Sequence, residues 1–350
     1  MHTRKALNVA CPLVLILIFS IPGIAQEDSS EYPVRIMFYN VENLFDTNDD
    51  PHRNDNEFLP EGVRRWNKSR YYRKISSVYK TVMAAGGWSP PAVAAFCEVE
   101  NRSVLEDLVY GTYLSRYKYG IIHEDSPDER GIDVCLIYRK DLVSVICTRT
   151  WIPSTIRRED FHTRSVLYAK CLIYGDTLHF IVNHWPSRRG GVLTGEYLRT
   201  QIAEMVRKSC DSLQNISSGH AKIIVMGDFN CDPDDVAVRK LTEPGGGNGK
   251  MINLSAIASS DGRGTYYYSG IWETFDQVIV SGSLTDCEEG LSTGQELLSV
   301  FRPDFLLTAN PGNPGDIPFS TYRGYKYQGG FSDHLPVLLD LVIRRSGNGK

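Results

Sequence analysis

A chain of 350 residues, 42% apolar and 23% charged, has material for a large core and is not composed like a disordered protein. The formal charge is −4, and removing Arg4 and Lys5 with an N-terminal leader leaves 36 basic against 42 acidic residues, or −6. That balance excludes bulk-charge coating of nucleic acid, which requires a basic surface.

The N-terminus pairs Arg4 and Lys5 with an apolar run from Val9 to about Ile24, and Gly23, Ile24 and Ala25 precede Gln26. This pattern predicts a cleaved signal peptide over residues 1–25 and export to the periplasm or beyond. The run is short for a stable span, so no lasting membrane association of the mature chain is expected. Cys11 precedes most of the run and is poorly placed for lipid attachment.

A strand is predicted first over Val34–Tyr39, then a helix over Ser69–Ala85 with Tyr72, Ile75, Val78, Tyr79 and Val82 at helical spacing. A strand follows at Ala92–Cys97 and a short helix at Arg102–Leu108. Four further strands are read at Gly131–Tyr138, Val143–Thr148, Ser165–Ile173 and Thr177–Asn183. Leu198, Ile202, Met205, Val206 and Leu213 mark a helix over Gly195–Leu213. The last strands are Lys222–Met226, Thr274–Ser281 and Leu335–Ile343. Glu243–Lys250 (EPGGGNGK) and Asn310–Gly315 (NPGNPG) are loops. Strands in this succession, some with intervening helices, predict an α/β fold of two central sheets with helices outside. No repeat or linker divides residues 32–345, which form one expected domain, and Ser346–Lys350 (SGNGK) reads as a frayed tail. Seven cysteines follow the leader, with no CxxC pair, so structural zinc is not indicated. Several sit in apolar runs and serve as small hydrophobes. Export permits a disulfide, but the sequence selects no pair.

Polar residues with catalytic chemistry gather at the ends of these strands, where a rigid sheet can hold them. In IIVMGDFNCD, Gly227 is expected to turn the chain so that Asp228 and Asn230 project beyond it. An Asp there can bind a metal or activate water, and an Asn can hydrogen-bond a phosphate or a nucleophile. FSDHLP offers Asp333 as a carboxylate and His334 as a cation. AAFCEVEN places Glu98 after a buried strand, suited to a hard cation, with Glu100 as the fallback. FYNVENLFD supplies Asn40 and Glu42. FIVNHWPSRRGG ends a strand with His184, and Ser187, Arg188 and Arg189 can reach a phosphate. Asp276 opens the strand of TFDQVIVS and Asp133 interrupts the apolar RGIDVCLIYR, so both need a cation or donors.

In this order along Val34–Ile343, the motifs resemble those of the endonuclease/exonuclease/phosphatase superfamily, and NVENLFD is similar to the opening of a bacterial branch of it. The resemblance implies a four-layer DNase I-like sandwich of two mostly antiparallel β-sheets flanked by helices, with the site at one edge of the sheets. It implies Mg²⁺ as cofactor, with Mn²⁺ as a substitute. Glu98 matches the main metal ligand, with Glu42 and Asn40 nearby and Asp333 as a further metal-shell carboxylate. Asn40 and Asn230 match the amides that hold the scissile phosphate and the water. Asp228 matches the carboxylate that orients or deprotonates that water. His334 matches the histidine that stabilises the transition state, and Asp276 its carboxylate partner. His184 is similar to the histidine of the DNase-like and the lipid- or inositol-phosphate-cleaving branches. Asp133 is its expected carboxylate partner, although the neighbouring spacing departs from the deoxyribonuclease pattern. Arg188 is expected to bind substrate.

The expected activity is hydrolysis of phosphodiester bonds, nuclease-like, by an exported Mg²⁺-dependent enzyme. Arg64, Arg65, Arg188, Arg189 and the aromatic Tyr322–Phe331 can meet nucleic acid. The alternative is a phosphatase or phosphodiesterase of inositol phosphates, sugar phosphates or phospholipid headgroups, which the acidity and the tyrosines at 266–268 and 322–327 favour. A catalytically inactive binding protein on the same scaffold is a third reading, against which the complete set of site residues stands.

Overall fold

The structure, a computed structural model, describes residues 33–153, 162–188, 192–243, 249–256 and 264–344, with the backbone alone for 192–194. The expected leader, Arg189, most of the loop at 243–250 and the C-terminal tail lie outside the described residues. In chain order the strands begin with β1 (Val34–Leu44), β2 (Val93–Val99), β3 (Tyr119–His123), β4 (Asp133–Arg139), β5 (Val143–Trp151) and β6 (Val166–Ile173). They continue with β7 (Asp176–His184), β8 (Lys222–Asp228), β9 (Met251–Asn253), the hairpin β10 (Tyr266–Tyr268) and β11 (Ile271–Glu273), and β12 (Asp276–Ser281). Six short strands follow: β13 (Gly290–Ser292), β14 (Leu298–Val300), β15 (Leu307–Ala309), β16 (Asp316–Pro318), β17 (Tyr322–Arg323) and β18 (Lys326–Tyr327). β19 (Val337–Arg344) closes the set. Helices α1 (Lys68–Gly86), α2 (Arg102–Tyr110), α3 (Val192–Ile216) and α4 (Val236–Thr242) lie between strands.

One sheet runs β13-β19-β1-β2-β4-β3, with β14 also on β19, and the other runs β5-β6-β7-β8-β12-β9. Each contains one parallel pair, β1 with β2 and β7 with β8. The other pairings are antiparallel. The sandwich follows from period-2 alternation. Ile36 and Phe38 of β1, Ala95 and Cys97 of β2, Phe180 and Val182 of β7, Ile224 and Met226 of β8, and Val278 and Val280 of β12 form the core between the sheets. The intervening Met37, Tyr39, Ala94 and Phe96 face outward onto Tyr71, Ile75 and Val78 of α1 and Val104 and Leu108 of α2. Ile181, Ile223, Val225 and Ile279 meet Ile202 and Val206 of α3. The layers are therefore helix, sheet, sheet, helix. In α1 the buried tyrosine is Tyr71, and Tyr72, placed on the apolar face by spacing alone, is exposed. Asn67 and Asn101 cap α1 and α2 by accepting the amides of Arg70 and Val104. Among the described residues, no helix is long and apolar enough to cross a membrane.

The same alternation positions the polar strand ends. Asn40 shares parity with Ile36 and Phe38, His184 with Phe180 and Val182, Asp228 with Ile224 and Met226, and Asp276 with Val278. All four therefore point into the space between the sheets, at the rim of its apolar filling. Register aligns them further, because Asp228 is the partner of His184 on one side and of Asp276 on the other.

Gly227 does not turn the chain. It lies inside β8, paired with Asn183 and Gln277, and β8 runs on through Asp228. Its role is close approach: a Cβ there would lie 2.3 Å from the Asn183 carbonyl oxygen. Gly227→Ala is expected to force β7 and β8 apart and to cost about 1–3 kcal/mol, read from chemical denaturation midpoints. An unchanged midpoint contradicts this.

Candidate active site

Asp228 is the hub of the site. It is 1% exposed, and its Oδ1 accepts the Asn230 amide at 2.9 Å while its Oδ2 accepts Asn40 Nδ2 at 2.9 Å. The same Asn40 nitrogen donates to Glu98 Oε1 at 3.3 Å, and Asn40 Oδ1 accepts the Glu42 amide at 2.9 Å. The amide of Asn40 therefore carries hydrogen bonds across the gap between the sheets.

Glu98 would face away from the site if β2 continued flat, because its neighbour Cys97 faces inward. Instead Glu98 adopts φ +62°, and the register with β4 shifts between Cys97 and Val99. A non-glycine residue in this region carries strain. The kink swings the carboxylate into the cleft, where the Asn43 amide holds Oε2 at 2.9 Å. Glu100 is not an alternative at the same place. It accepts the Asp46 amide and lines a separate small cavity with Asp50, Arg53 and Asp133.

His334 stands on the opposite side of Asp228. Its Nδ1 is 2.7 Å from Asp276 Oδ2 and its Nε2 is 3.8 Å from Asp228 Oδ2. Burial opposes the imidazolium, but Asp276 and Asp228 outweigh it and hold the ring's pKa well above its ordinary value. His334 is therefore a charged donor at neutral pH. Ser332 fixes the backbone before it, accepting the His334 amide and donating to the Asn40 carbonyl at 2.7 Å. Tyr266 of β10 forms a β-bridge with His334 and packs on its ring at 4.6 Å.

His184 is in the opposite state. Its Nε2 lies 3.7 Å from Asp228 Oδ2 and 3.8 Å from Glu98 Oε1. Burial, reinforced by Arg164 and Arg130, pushes its pKa well below the usual value, so it is neutral. The expected Asp133 partner is not there. Asp133 is bound to His123 Nε2 at 3.1 Å and to the Ser126 amide at 2.9 Å, and His184 Nδ1 is buried without a hydrogen bond. Strand β3, which carries His123 beside β4, has no clear mark in the sequence, so the true partner of Asp133 was hidden.

Glu42 also departs from expectation. At φ +51° its side chain turns from the cleft, and both oxygens accept backbone amides, from Thr321 at 2.6 Å and Tyr322 at 3.0 Å. It anchors the loop that leads to Ser332. Buried Lys74 lies 3.9 Å from it and donates to Thr321 Oγ1 and the Phe331 carbonyl. Lys74 follows Tyr71 and precedes Ile75 and Val78 on the buried face of α1. A lysine at that spacing was the available sequence signal for this brace.

Asn230, at φ +50°, donates to the Trp185 carbonyl at 3.0 Å, and Arg164 donates to the same oxygen at 2.6 Å. Arg188 lines the cleft but is held by Glu273 at 2.6 Å, Asp235 at 3.3 Å and Asp232 at 3.5 Å. Asp333 is partly exposed in the cleft.

The residues at the cleft floor fit a hard cation. Glu98, Asp228 and Asp333 line the cleft with the His334 imidazolium, Asp276 is buried behind His334, and Lys74 is committed beside Glu42. Burial, together with repulsion from Asp276, raises Asp228 to about 6. Burial and Glu98 likewise raise Asp333, against the pull of His334. Asp276 Oδ1 is buried without a hydrogen-bond partner. An added positive charge relieves this crowding. Glu98 and Asp333 offer the oxygen ligands, whereas Asn40, expected among them, turns its Nδ2 to Glu98 and Asp228 and its Oδ1 to the Glu42 amide. At these residues opens a cleft of about 690 Å³, lined also by two aromatic clusters, Phe45, Phe58 and Tyr325 around Arg64, and Tyr266 with Tyr268 and Phe275.

With this geometry, the sequence profile of the endonuclease/exonuclease/phosphatase family matches residues 35–343. The chain belongs to that family. Among solved structures, the mannosyl-6-phosphatase of Bacteroides thetaiotaomicron superposes with a TM-score of 0.56 at 14% identity, over 89% of this chain and 100% of that one. The human Nocturnin catalytic domain, bound to sulfate, gives 0.53 at 17% identity, over 89% and 94%. Danio rerio TDP2 in complex with a single-stranded DNA product gives 0.51 at 15%, over 89% and 100%. At these identities the family members share the DNase I-like fold, and nothing finer follows. A search of curated proteins returned no match.

Burial raises Asp228 to about 6, so the negative charge that would favour a divalent cation in this cleft is present at pH 7.5 and reduced at pH 5. Mg²⁺ is therefore expected to raise the melting temperature more at pH 7.5 than at pH 5, and less in Glu98→Gln than in the parent protein. Equal shifts at both pH values contradict the charge account.

Proposed function

We propose that this chain is an exported, divalent-cation-dependent phosphoester hydrolase acting on a small phosphorylated molecule. The observation that carries the hydrolase reading is the convergence of Glu98, His184, Asp228, Asp333 and His334 on the lining of one cleft, with Asn40 and Asp276 buried behind them and bonded to Asp228 and His334. The leader-like Arg4, Lys5 and apolar run support export.

Hydrolysis needs a held nucleophile, neutralised phosphoryl oxygens and a donor for the charge that develops. Asp228, with its oxygens fixed by Asn40 and Asn230, orients water and takes its proton. Asn230 is itself held by the Trp185 carbonyl and steadies the phosphoryl group. The His334 imidazolium, locked at Nδ1 by Asp276, presents Nε2–H to the oxygen that gains charge. His184, neutral and wedged beside Glu98 and Asp228, offers Nε2 without adding a cation. Glu98 and Asp333 would hold a divalent cation, which when bound would supply Lewis-acid neutralisation of the phosphoryl oxygens, with Asn40 positioning Glu98 and Asp228.

The preference for a small substrate rests on how the cleft arginines are spent. Arg64 is bound to Glu57 at 3.0 Å, Arg130 stands 3.7 Å from Asp128, and Arg188 has three carboxylates around it. A groove that tracks a nucleic-acid backbone keeps its cations available for phosphates. The similarity to a mannosyl-6-phosphatase supports this reading. The nuclease reading draws on the exposed tyrosines of the cleft walls and on the similarity to TDP2.

Exhaustive chelation is expected to stop turnover of bis-p-nitrophenyl phosphate and p-nitrophenyl phosphate, and Mg²⁺ or Mn²⁺ to restore it. Asp228→Asn, Glu98→Gln and His334→Ala are each expected to lose about 10²–10⁴-fold in kcat with the fold retained. Full activity in EDTA overturns the cation requirement. Rapid nicking of supercoiled plasmid, with no action on small esters, selects the nuclease instead.

A further inference from the structure

Two hairpins flank the cleft, and each delivers a tyrosine that the chemistry above does not use. The turn at Ser269 (φ +50°) and Gly270 (φ +91°) closes β10 and β11, with Tyr268 as the last residue of β10. Gly324, at φ +58°, opens the turn between β17 and β18 that carries Tyr325. Tyr268 is 64% exposed and Tyr325 66%, the highest values of any tyrosine among the described residues. Both line the active-site cleft.

Neither side chain is loosely placed. Tyr268 lies parallel to Tyr266, 6.4 Å apart with 8° between the planes, and Tyr266 packs on the ring of His334. Tyr325 sits under the Arg64 guanidinium at 5.4 Å, and Arg64 Nη1 donates to the Gly324 carbonyl at 3.0 Å. Tyr322, at the base of the same hairpin, is tied through its amide to Glu42. Each hairpin is thus fixed to the catalytic framework while its tyrosine face stays open to the cleft. Braced aromatic faces bind a ring with little ordering cost.

The groups beside these tyrosines choose among rings. Glu57 and Glu273 line the cleft, each bound to an arginine, Arg64 and Arg188. Such pairs present acceptors and donors side by side, which suits hydroxyl groups that both give and accept hydrogen bonds. The same carboxylates repel a second phosphate or a polyanionic chain. We infer that Tyr268 and Tyr325 hold a sugar ring attached to the scissile phosphate, with Glu57 and Glu273 accepting its hydroxyl hydrogens, so that the substrate class is phosphorylated carbohydrate. This inference rests on the phosphoester hydrolase reading.

The test is steady-state kinetics of the full mature chain with Mg²⁺ on glucose 6-phosphate, mannose 6-phosphate, glycerol 3-phosphate and adenosine 5′-monophosphate. p-Nitrophenyl and bis-p-nitrophenyl phosphate serve as generic esters. The parent protein is expected to favour a hexose phosphate over glycerol 3-phosphate in kcat/KM. Tyr268→Ala and Tyr325→Ala are each expected to cut that preference about 3- to 10-fold, mainly through KM. Tyr268→Phe and Tyr325→Phe are expected to keep it, since the ring face remains. No preference in the parent, an unchanged preference in both alanine variants, or a preference for the nucleotide overturns the sugar assignment while leaving the hydrolase reading intact. No turnover of any ester, the generic ones included, overturns both.

Discussion

The hydrogen bond from Asn40 Nδ2 to Asp228 Oδ2 joins the two sheets where their shared core gives way to the polar groups of the cleft. β1 contributes the amide and β8 the carboxylate, and no segment of either is local to the other. The bond forms only if both strands keep the parity that buries Ile36 and Phe38 on one sheet and Ile224 and Met226 on the other. A one-residue slip in either strand would turn Asn40 or Asp228 outward together with the apolar side chains. Packing of the core and assembly of the site are therefore one requirement. Gly227 enforces it from beside Asp228, because only hydrogen leaves room for the Asn183 carbonyl.

Around that bond the molecule concentrates carboxylates more densely than its fixed cations can balance. The resulting field sets two histidines in opposite states. His334 is held charged by Asp276 and Asp228, and His184 is kept neutral by burial and by nearby Arg164 and Arg130. Asp228 thus has one charged imidazole at 3.8 Å and one neutral imidazole at 3.7 Å, the pair that the proposed hydrolysis calls for. The strained φ of Glu98 belongs to the same arrangement: the fold tolerates an unfavourable backbone to add another carboxylate to a crowded site.

Most of the framework was legible in the sequence. Apolar runs with period-2 alternation gave the long strands, and their ends gave Asn40, His184, Asp228 and Asp276. What was hidden depended on contacts between distant segments. Asp133 interrupts an apolar run and so needs a partner, and that partner is His123 on β3. Glu42 looked like a metal-shell carboxylate because it sits two residues beyond Asn40. The left-handed conformation at 42 and 43 turns it to the amides of Thr321 and Tyr322, some 280 positions away. Glu98 stands after an apolar run, yet it reaches the cleft only through a kink that no sequence pattern announces. The short hairpins that shape the cleft have too few residues for periodicity to register.

The central claim is that these side chains form one preorganised cation site beneath the cleft. Anomalous diffraction from crystals soaked with Mn²⁺ tests it most directly. The expected result is a peak in contact with Glu98, close to Asn40 and Asp333, with Glu42 still bound to the Thr321 and Tyr322 amides. Strong binding at the His123–Asp133 cluster or elsewhere, with no peak at Glu98, would contradict the account.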